Sequence, residues 1–503
     1  MVRAELKSRH PAGHACTRRR LTSALLPWGL VGLLAGCAAG PDFQRPDVPA
    51  AAAYSTAPLP AQTASAPTAL GEAQRFQAGA DVNAQWWRSL GSSRLDTWIA
   101  QAFEASPTLA AARATLRQAD QLYAAQAGST LYPQISASLG AQRQQLNPSV
   151  QGQAGNAREF SLYNAAIGVR YRLDLAGGNR RALEALAART DHRRHELAGA
   201  RLALAANITG SAIARARLAG QIASSEVLLS VQQEQLELTR QRVRFGQAVP
   251  DEVLALQTQI EQVRAGVPLL RKQLDQNEHL LATLAGQAPG ATTVPDFTLA
   301  EFRLPVELPV VLPSELVRRR PDIQAAEALL HTAHADYGVA AARLYPQLEL
   351  SASLGSQALT TGALFGAGSA AWALLGQLTQ PLFNPGLPAE KRAALAALDA
   401  AAANYQVVVL GALRDVADAL RALEHDAQAL AAQATADAAA RASLQSMERQ
   451  YALGAASYVQ LLLARQQAQQ NRHNLLAAQA QRLTDSAALY QALGGGRAWV
   501  DGG

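Results

Sequence analysis

Two hydrophobic periods divide this chain. Four short stretches alternate apolar and polar residues one by one. Ile135, Ala137, Leu139 and Ala141 interleave with Gln134, Ser136, Ser138, Gly140 and Gln142. Ile167, Val169, Tyr171, Leu173 and Leu175 interleave with Gly168, Arg170, Arg172 and Asp174. Leu348, Leu350, Ala352 and Leu354 interleave with Glu349, Ser351, Ser353 and Gly355, and Trp372, Leu374 and Leu378 oppose Ala373, Gln377 and Thr379. A period of two predicts strands with one apolar and one polar face. A soluble sheet over a core meets this pattern, and so does a membrane barrel around a wet lumen. In the membrane case Ile167, Val169, Leu350 and Leu374 face lipid, while Arg170, Arg172 and Ser351 face water.

The rest of the chain follows a period of seven. Leu197, Leu204, Ser211 and Leu218 recur at that spacing, as do Ile222, Leu229, Leu236 and Val243. Leu395, Ala402, Val409, Val416, Leu423, Leu430, Leu444 and Tyr451 hold one register, with Asp437 the exception. Val253, Leu256, Ile260, Val263, Val267, Leu270, Leu274, Leu281 and Leu284 follow four-three spacing, and Pro268 is expected to kink or break their helix. Sustained heptads predict coiled-coil packing along a narrow seam. From Gly178 to Phe245 there is no proline, and a matching stretch runs from Ala389 to Leu453. Each would span on the order of 100 Å as one helix, a length that a globular domain has little use for.

The plan is written twice. Pro107 to Gly140 answers Pro321 to Gly355, and each contains Leu-Tyr-Pro-Gln (Leu131 to Gln134, Leu344 to Gln347) followed by Ala-Ser-Leu-Gly. Phe245-Gly246 answers Leu453-Gly454, and Ala285-Gly286 answers Leu493-Gly494. Each half reads helix, strand, strand, long helix, turn, helix. The long helices end in hairpin turns, with Gly246 and Gly454 at the stops and Pro250 and Ser457 at the restarts. Glycine suits a helix stop, and proline and acidic residues suit a start. Turn chemistry alone accounts for these residue types.

Composition and charge sharpen the class. Aromatic residues are 5% of the 503, which excludes an all-β sandwich and favours helix. The net charge of +6 invites a nucleic-acid partner, but the excess is misplaced for one. Arg3, Lys7, Arg9, Arg18, Arg19 and Arg20 against Glu5 place nearly all of it before residue 37. There Arg18 to Arg20 precede an apolar run, Leu21 to Gly36, too short to span a bilayer. The run ends in Leu34-Ala35-Gly36-Cys37, which resembles the lipobox of bacterial lipoproteins. The resemblance implies cleavage before Cys37 and a covalent lipid on it, the only cofactor-like group expected. Ala38 rather than aspartate follows, which by similarity to enterobacterial sorting favours the outer membrane. Of the two cysteines, Cys16 lies in the leader, so no internal disulfide is expected in a mature chain. Pro46, Pro49, Pro58, Pro60 and Pro67 exclude a helix in the next stretch, which is expected to be an extended tether.

Catalytic constellations are absent from the sequence: it has no phosphate-binding Walker loop, no Gly-x-Ser-x-Gly and no His-Glu-x-x-His. His192 with His195 and His331 with His334 have metal-ligand spacing on a helix, but Arg193 and Arg194 would repel a cation. Asp415 and Asp418 read as a charged helix flank. The chain is therefore expected to be neither an enzyme nor a metalloprotein.

Taken together the residues resemble one family, the outer-membrane efflux lipoproteins of the TolC-like, NodT type that serve resistance-nodulation-division pumps. Nearly the whole mature chain takes part. The most specific stretches are Arg319-Arg320-Pro321-Asp322-Ile323-Gln324-Ala325-Ala326-Glu327, Gly338 to Gln347 and Pro381-Leu382-Phe383-Asn384-Pro385-Gly386, with Cys37, Gly40-Pro41-Asp42 and Trp86-Trp87 nearer the start. The resemblance implies a mostly α protein with membrane β. Each of two structural repeats would hold a β-hairpin and long coiled-coil helices, and a homotrimer would form a 12-stranded barrel plus a periplasmic α-helical tunnel. On that reading residues 1–36 are a lipoprotein signal peptide, 37–85 a lipidated tether, 86–300 the first repeat and 301–503 the second. Strands are expected over about 133–175 and 346–383, and long helices over about 178–286 and 389–493. The implied partners are outer-membrane lipid, a periplasmic adaptor protein docking on Gly246, Pro250, Gly454 and Ser457, and an inner-membrane transporter. Members often place an aspartate ring after the second tip; here Leu463 holds that position, so Leu461, Leu462 and Leu463 are the candidate periplasmic gate. A type I protein-secretion duct shares this architecture, and a pore-free coiled-coil lipoprotein is a further alternative.

Overall fold

The structure is a computed structural model that describes residues 39–47, 53–148, 152, 154 and 156–496. The leader, Cys16 and Cys37 lie outside the described residues. The chain forms two compact units, one built on residues 133–180 and 338–384, the other on 42–132, 181–337 and 385–503.

In order, the elements are β1 (Arg75–Ala78), α1 (Ser93–Ala105), α2 (Pro107–Leu131), β2 (Gln134–Leu146), β3 (Arg158–Leu173), α3 (Gly178–Arg244) and α4 (Pro250–Leu284). There follow β4 (Glu307–Val310), α5 (Pro321–Ala342), β5 (Gln347–Ala358), β6 (Ala370–Thr379), α6 (Gly386–Ala452) and α7 (Tyr458–Ala492). The two halves match closely: α3 and α6 each have 67 residues, and α4 and α7 each have 35.

The first unit is an antiparallel sheet of order β2-β3-β5-β6. Each repeat supplies one hairpin, and β3 joins β5 at the centre. Register decides the faces, because directly paired residues project to the same side. Ala137 pairs with Ile167, Ile167 with Leu354 and Leu354 with Trp372. Two residues along, Ile135 pairs with Val169, Val169 with Ala352 and Ala352 with Leu374. The apolar sides of all four strands thus merge into one face. Ser136, Gly168 and Ser353 line the other, with Gln134, Arg170 and Ser351 beside them.

In the second unit the long helices pack along seams. Along lower α3 the inward positions are Ile222, Ser225, Leu229, Gln232, Leu236 and Thr239, alternating three and four apart. Only every second one is apolar, which is why the sequence showed a period of seven there and hid its polar partner row. On α6, Val409, Val416, Leu423 and Leu430 are buried as the heptad predicts, and Asp437 keeps the register, wholly buried with its carboxylate 2.7 Å from the Arg441 guanidinium. Pro268 neither breaks nor ends α4, which runs on to Leu284. Pro268 and Arg264 are both exposed, so water can satisfy the Arg264 carbonyl that the missing N–H leaves without a donor.

The main core gathers Trp86, Trp87, Leu95, Trp98, Ile99, Phe297, Ile323, Val416, Leu483 and Tyr490. The Trp86 and Tyr490 rings stack at 5.6 Å. The segment expected to be an extended tether is, from residue 53, a packed strap. Tyr54 donates to the Val311 carbonyl at 2.6 Å, and β1 pairs in parallel with β4. Gln74 is wholly buried, donating to Pro305 O at 2.9 Å and to Ser486 Oγ at 3.0 Å. It also accepts from Arg482 at 2.7 Å. Proline excluded a helix from this segment without excluding burial.

Candidate functional site

Two surfaces have the geometry of a duct: the sheet faces and the hairpin tips. The apolar face of the sheet is open. Ile135, Leu139, Ile167, Leu354, Trp372, Leu374 and Leu378 are all exposed, Leu139 at 84%. Between Tyr163 and Tyr171 on β3 that face carries Ala165, Ile167 and Val169. Beyond Tyr163 it turns polar, with Glu159 accepting from Arg143 at 2.8 Å. Eight residues of strand extend about 26 Å, which at a barrel tilt of about 35–45° covers about 20 Å of height, most of the apolar band of a membrane barrel, with tyrosine at both ends. The opposite face holds Gln134, Ser136, Ser138, Gln142, Asn164, Gln347, Ser351, Ser353, Gln357 and Gln377. Its charges are clustered: Glu349 lies 3.1 Å from Arg170 and 3.7 Å from Arg172.

The tips are built by identical caps. At Gly246 (φ +70°) the chain leaves α3, and Gln247 N donates back to Arg242 O at 2.8 Å. At Gly454 (φ +75°) it leaves α6, and Ala455 N donates to Gln450 O at 2.8 Å. Nothing stands where a Cβ would fall at either position, so glycine is needed for its backbone angle and not for space. Pro250 opens α4 at its first turn. Ser457 caps α7 in a reciprocal box, Gln460 N donating to Ser457 Oγ at 3.3 Å and Ser457 N to Gln460 Oε1 at 2.8 Å.

The three candidate gate leucines have three environments. Leu461 is buried with Leu236, Leu256, Ile260 and Tyr458, so it belongs to the protomer's own packing and not to an open surface. Leu462 is half-buried against the same cluster, and Leu463 is 60% exposed. Successive helical residues turn by about 100°, so three in a row cannot share a surface. Phe245 and Leu453, at equivalent places in the two repeats, are also exposed.

A link between the tips escaped the sequence reading. Arg242 donates to Tyr451 Oη at 2.8 Å, and Tyr451 Oη donates to Glu252 at 3.2 Å. The Arg242 guanidinium also lies over the Tyr451 ring, 5.5 Å from its centre. Burial, then the Glu252 charge, raises the phenol above its ordinary pKa, so it keeps its proton. Tyr451 was visible only as a heptad member; its hydroxyl partners lie on two other helices.

One histidine of each pair is held by a polar partner. His192 Nδ1 is 3.0 Å from Ala325 O, and His331 Nε2 is 2.8 Å from Glu184. Phe43 stacks on the His331 ring at 4.3 Å and meets His334 edge-on. Burial lowers the pKa of His195 and His334, which favours their neutral forms. Among the described residues no group of three or more His, Cys, Asp or Glu side chains is arranged to hold a metal. Asp415 pairs with Arg320 at 3.2 Å.

The family profile described as outer membrane efflux protein matches residues 98–287 and 312–495, that is, both repeats. The chain belongs to the outer membrane efflux protein family. Among its relatives, the pyoverdine export outer membrane protein OpmQ of Pseudomonas aeruginosa is 32% identical over 82% of this chain and 87% of that protein. The toluene efflux pump outer membrane protein TtgC of Pseudomonas putida is 29% identical over 95% and 96%. The solved outer-membrane channel OprN superposes with a TM-score of 0.82 at 27% identity, covering 92% of this chain and all of that one. The protein is an outer-membrane component of an efflux system, and the open apolar face of its sheet is the surface that such a location requires.

Proposed function

We propose that three copies of this chain close into one barrel and one tunnel, forming the outer-membrane exit duct of a tripartite pump that expels small toxic compounds. The observation that carries the reading is a four-stranded sheet with one continuous apolar face and two edge strands, β2 and β6, that among the described residues have no further strand beside them. Open sheet edges are intolerable in lipid, and four strands are too few to close alone. Pairing β2 of one copy with β6 of the next removes every edge and gives twelve strands. An exposed apolar stripe on α6, with Val407 and Leu410, supports the same assembly, because a second copy would cover it.

In this reading Gly246, Pro250, Gly454 and Ser457 shape two tips that present Phe245 and Leu453 to a periplasmic adaptor, itself coupled to an inner-membrane transporter. Leu463 is the gate residue: three copies would form an apolar ring that blocks ions by dewetting. A lipid on Cys37 adds a second hold on the membrane. The test is to reconstitute the purified protein in planar bilayers and to delete its gene. A trimeric particle with discrete conductance steps, and a strain sensitised to antibiotics, dyes or solvents, are expected. A monomer without conductance overturns the reading.

A further inference from the structure

The polar face of the sheet is not electrically neutral. On β2, β3, β5 and β6, Arg158, Arg170 and Arg172 stand on this face, and Glu349 is the sole acidic residue of its described positions. Most of the remaining positions are serine, glutamine, asparagine, alanine or glycine. The charges are not spread evenly. Arg172 pairs directly with Glu349 across β3 and β5, and Arg170 with Ser351 one step along. Glu349 reaches both guanidiniums, at 3.1 Å and 3.7 Å. One carboxylate between two arginines leaves a positive charge uncompensated. The two arginines remain 71% and 60% exposed and Glu349 38%, so the cluster is offered to whatever fills the space above this face. Packing does not need it: among the described residues none of the buried core clusters includes a residue of this face, and small polar residues would satisfy a wet surface equally well.

We propose that Arg170, Arg172 and Glu349 form a cationic girdle in the barrel lumen that makes the exit pathway favour anions, so that organic anions are the cargo class it suits best. The proposal rests on the reading of the polar face as the lumen of a trimeric barrel. Threefold repetition places three such clusters around one water-filled passage walled by protein and lipid. Rings of arginine or lysine select for anions by attraction and by repelling cations. Glu349 has a dual part. It orients the two guanidiniums and moderates their field, so that anions are attracted without being trapped. The preference is strongest at low salt, since the screening length is about 10 Å at 0.1 M and about 3 Å at 1 M.

The experiment measures reversal potentials of the full-length reconstituted protein under a KCl gradient, for the wild type, R170Q/R172Q and E349Q. The wild type is expected to reverse on the chloride side. R170Q/R172Q should lower the chloride-to-potassium permeability ratio by about threefold or more at 0.1 M salt, with the difference fading at 1 M. E349Q should move the ratio the opposite way. Opposite shifts from substitutions in one cluster are not what a structural role produces. If R170Q/R172Q fails to assemble, E349Q alone decides, because it keeps both guanidiniums. A wild type that favours potassium, or variants that conduct with the wild-type reversal potential, overturn the girdle and leave the duct standing. A wild type that does not conduct overturns the duct itself.

Discussion

Leu461, Leu462 and Leu463 look interchangeable in the sequence and are not in the fold. Leu461 is enclosed by Leu236, Leu256, Ile260 and Tyr458, so Leu461→Ala is expected to cost about 2–5 kcal/mol and to lower the thermal unfolding midpoint. Leu463 is mostly solvent-exposed in the protomer, so Leu463→Asp should leave that midpoint nearly unchanged while raising resting conductance in bilayers. Unchanged conductance in a stable trimer would remove Leu463 as the gate. Asp485 offers a second test at this scale. Burial, then the neighbouring Asp426, raises its carboxyl to about 7, with Arg482 opposing. A carboxyl whose folded pKa lies above its unfolded value contributes stability that is full below the unfolded pKa and is lost as pH rises through the folded one. From about pH 4 to 7 the wild type should therefore lose stability relative to Asp485→Asn, by about 1–3 kcal/mol between pH 5 and 7. His195, His334 and His473, their pKa values lowered by burial, act oppositely on the acid side. They are common to both proteins and cancel in the comparison. Parallel melting profiles would refute the assignment.

At the scale of the element, the strands and the long helices differ in how much of their design was legible. Strand faces could be read directly, because a period of two puts neighbours on opposite sides whatever the sheet packs against. The register gathers Ile167, Val169, Leu350 and Leu374 on one face and Arg170, Arg172 and Ser351 on the other. Single cysteines at Val169 and Leu374 should resist a membrane-impermeant thiol reagent in intact outer membranes, and cysteines at Ser351 and Arg170 should react. The reverse pattern would mean a one-residue slip, which inverts every side chain. Helix seams were half legible. The row of Ile222, Leu229 and Leu236 stood out, but Ser225, Gln232 and Thr239 share the seam and look like surface residues. The helix stops at the tips were legible, because a glycine stop is local chemistry: Gly246 and Gly454 act where they stand, whereas α6 begins at Gly386, three residues before the expected start.

For the whole molecule, the membrane location has one physical source in the structure, the apolar sheet face, and the proposed lipid on Cys37 would add a second. They are unequal. One acyl chain anchors only marginally and several anchor well, whereas a closed barrel is held by all of its apolar band. Cys37→Ser should therefore yield an unprocessed, unacylated precursor by mass spectrometry that still inserts, with drug resistance reduced only modestly in a complemented deletion strain. Complete loss of outer-membrane insertion would show that the lipid, not the barrel, carries the attachment. By itself the sequence determined the two repeats, because one series of motifs is written twice, and the glycine stops of the long helices and the two-faced strands, because each of these depends on residues within a turn or two of one another. Only the tertiary structure decided that β3 joins β5, that Gln74 and Arg482 meet inside a packed strap, that Tyr451 bridges Arg242 and Glu252, and that Leu461 alone of its run is enclosed. These are contacts between segments far apart in the chain. They form because burial and hydrogen bonding offset the cost of ordering both partners, and that balance lies in no local window of residues.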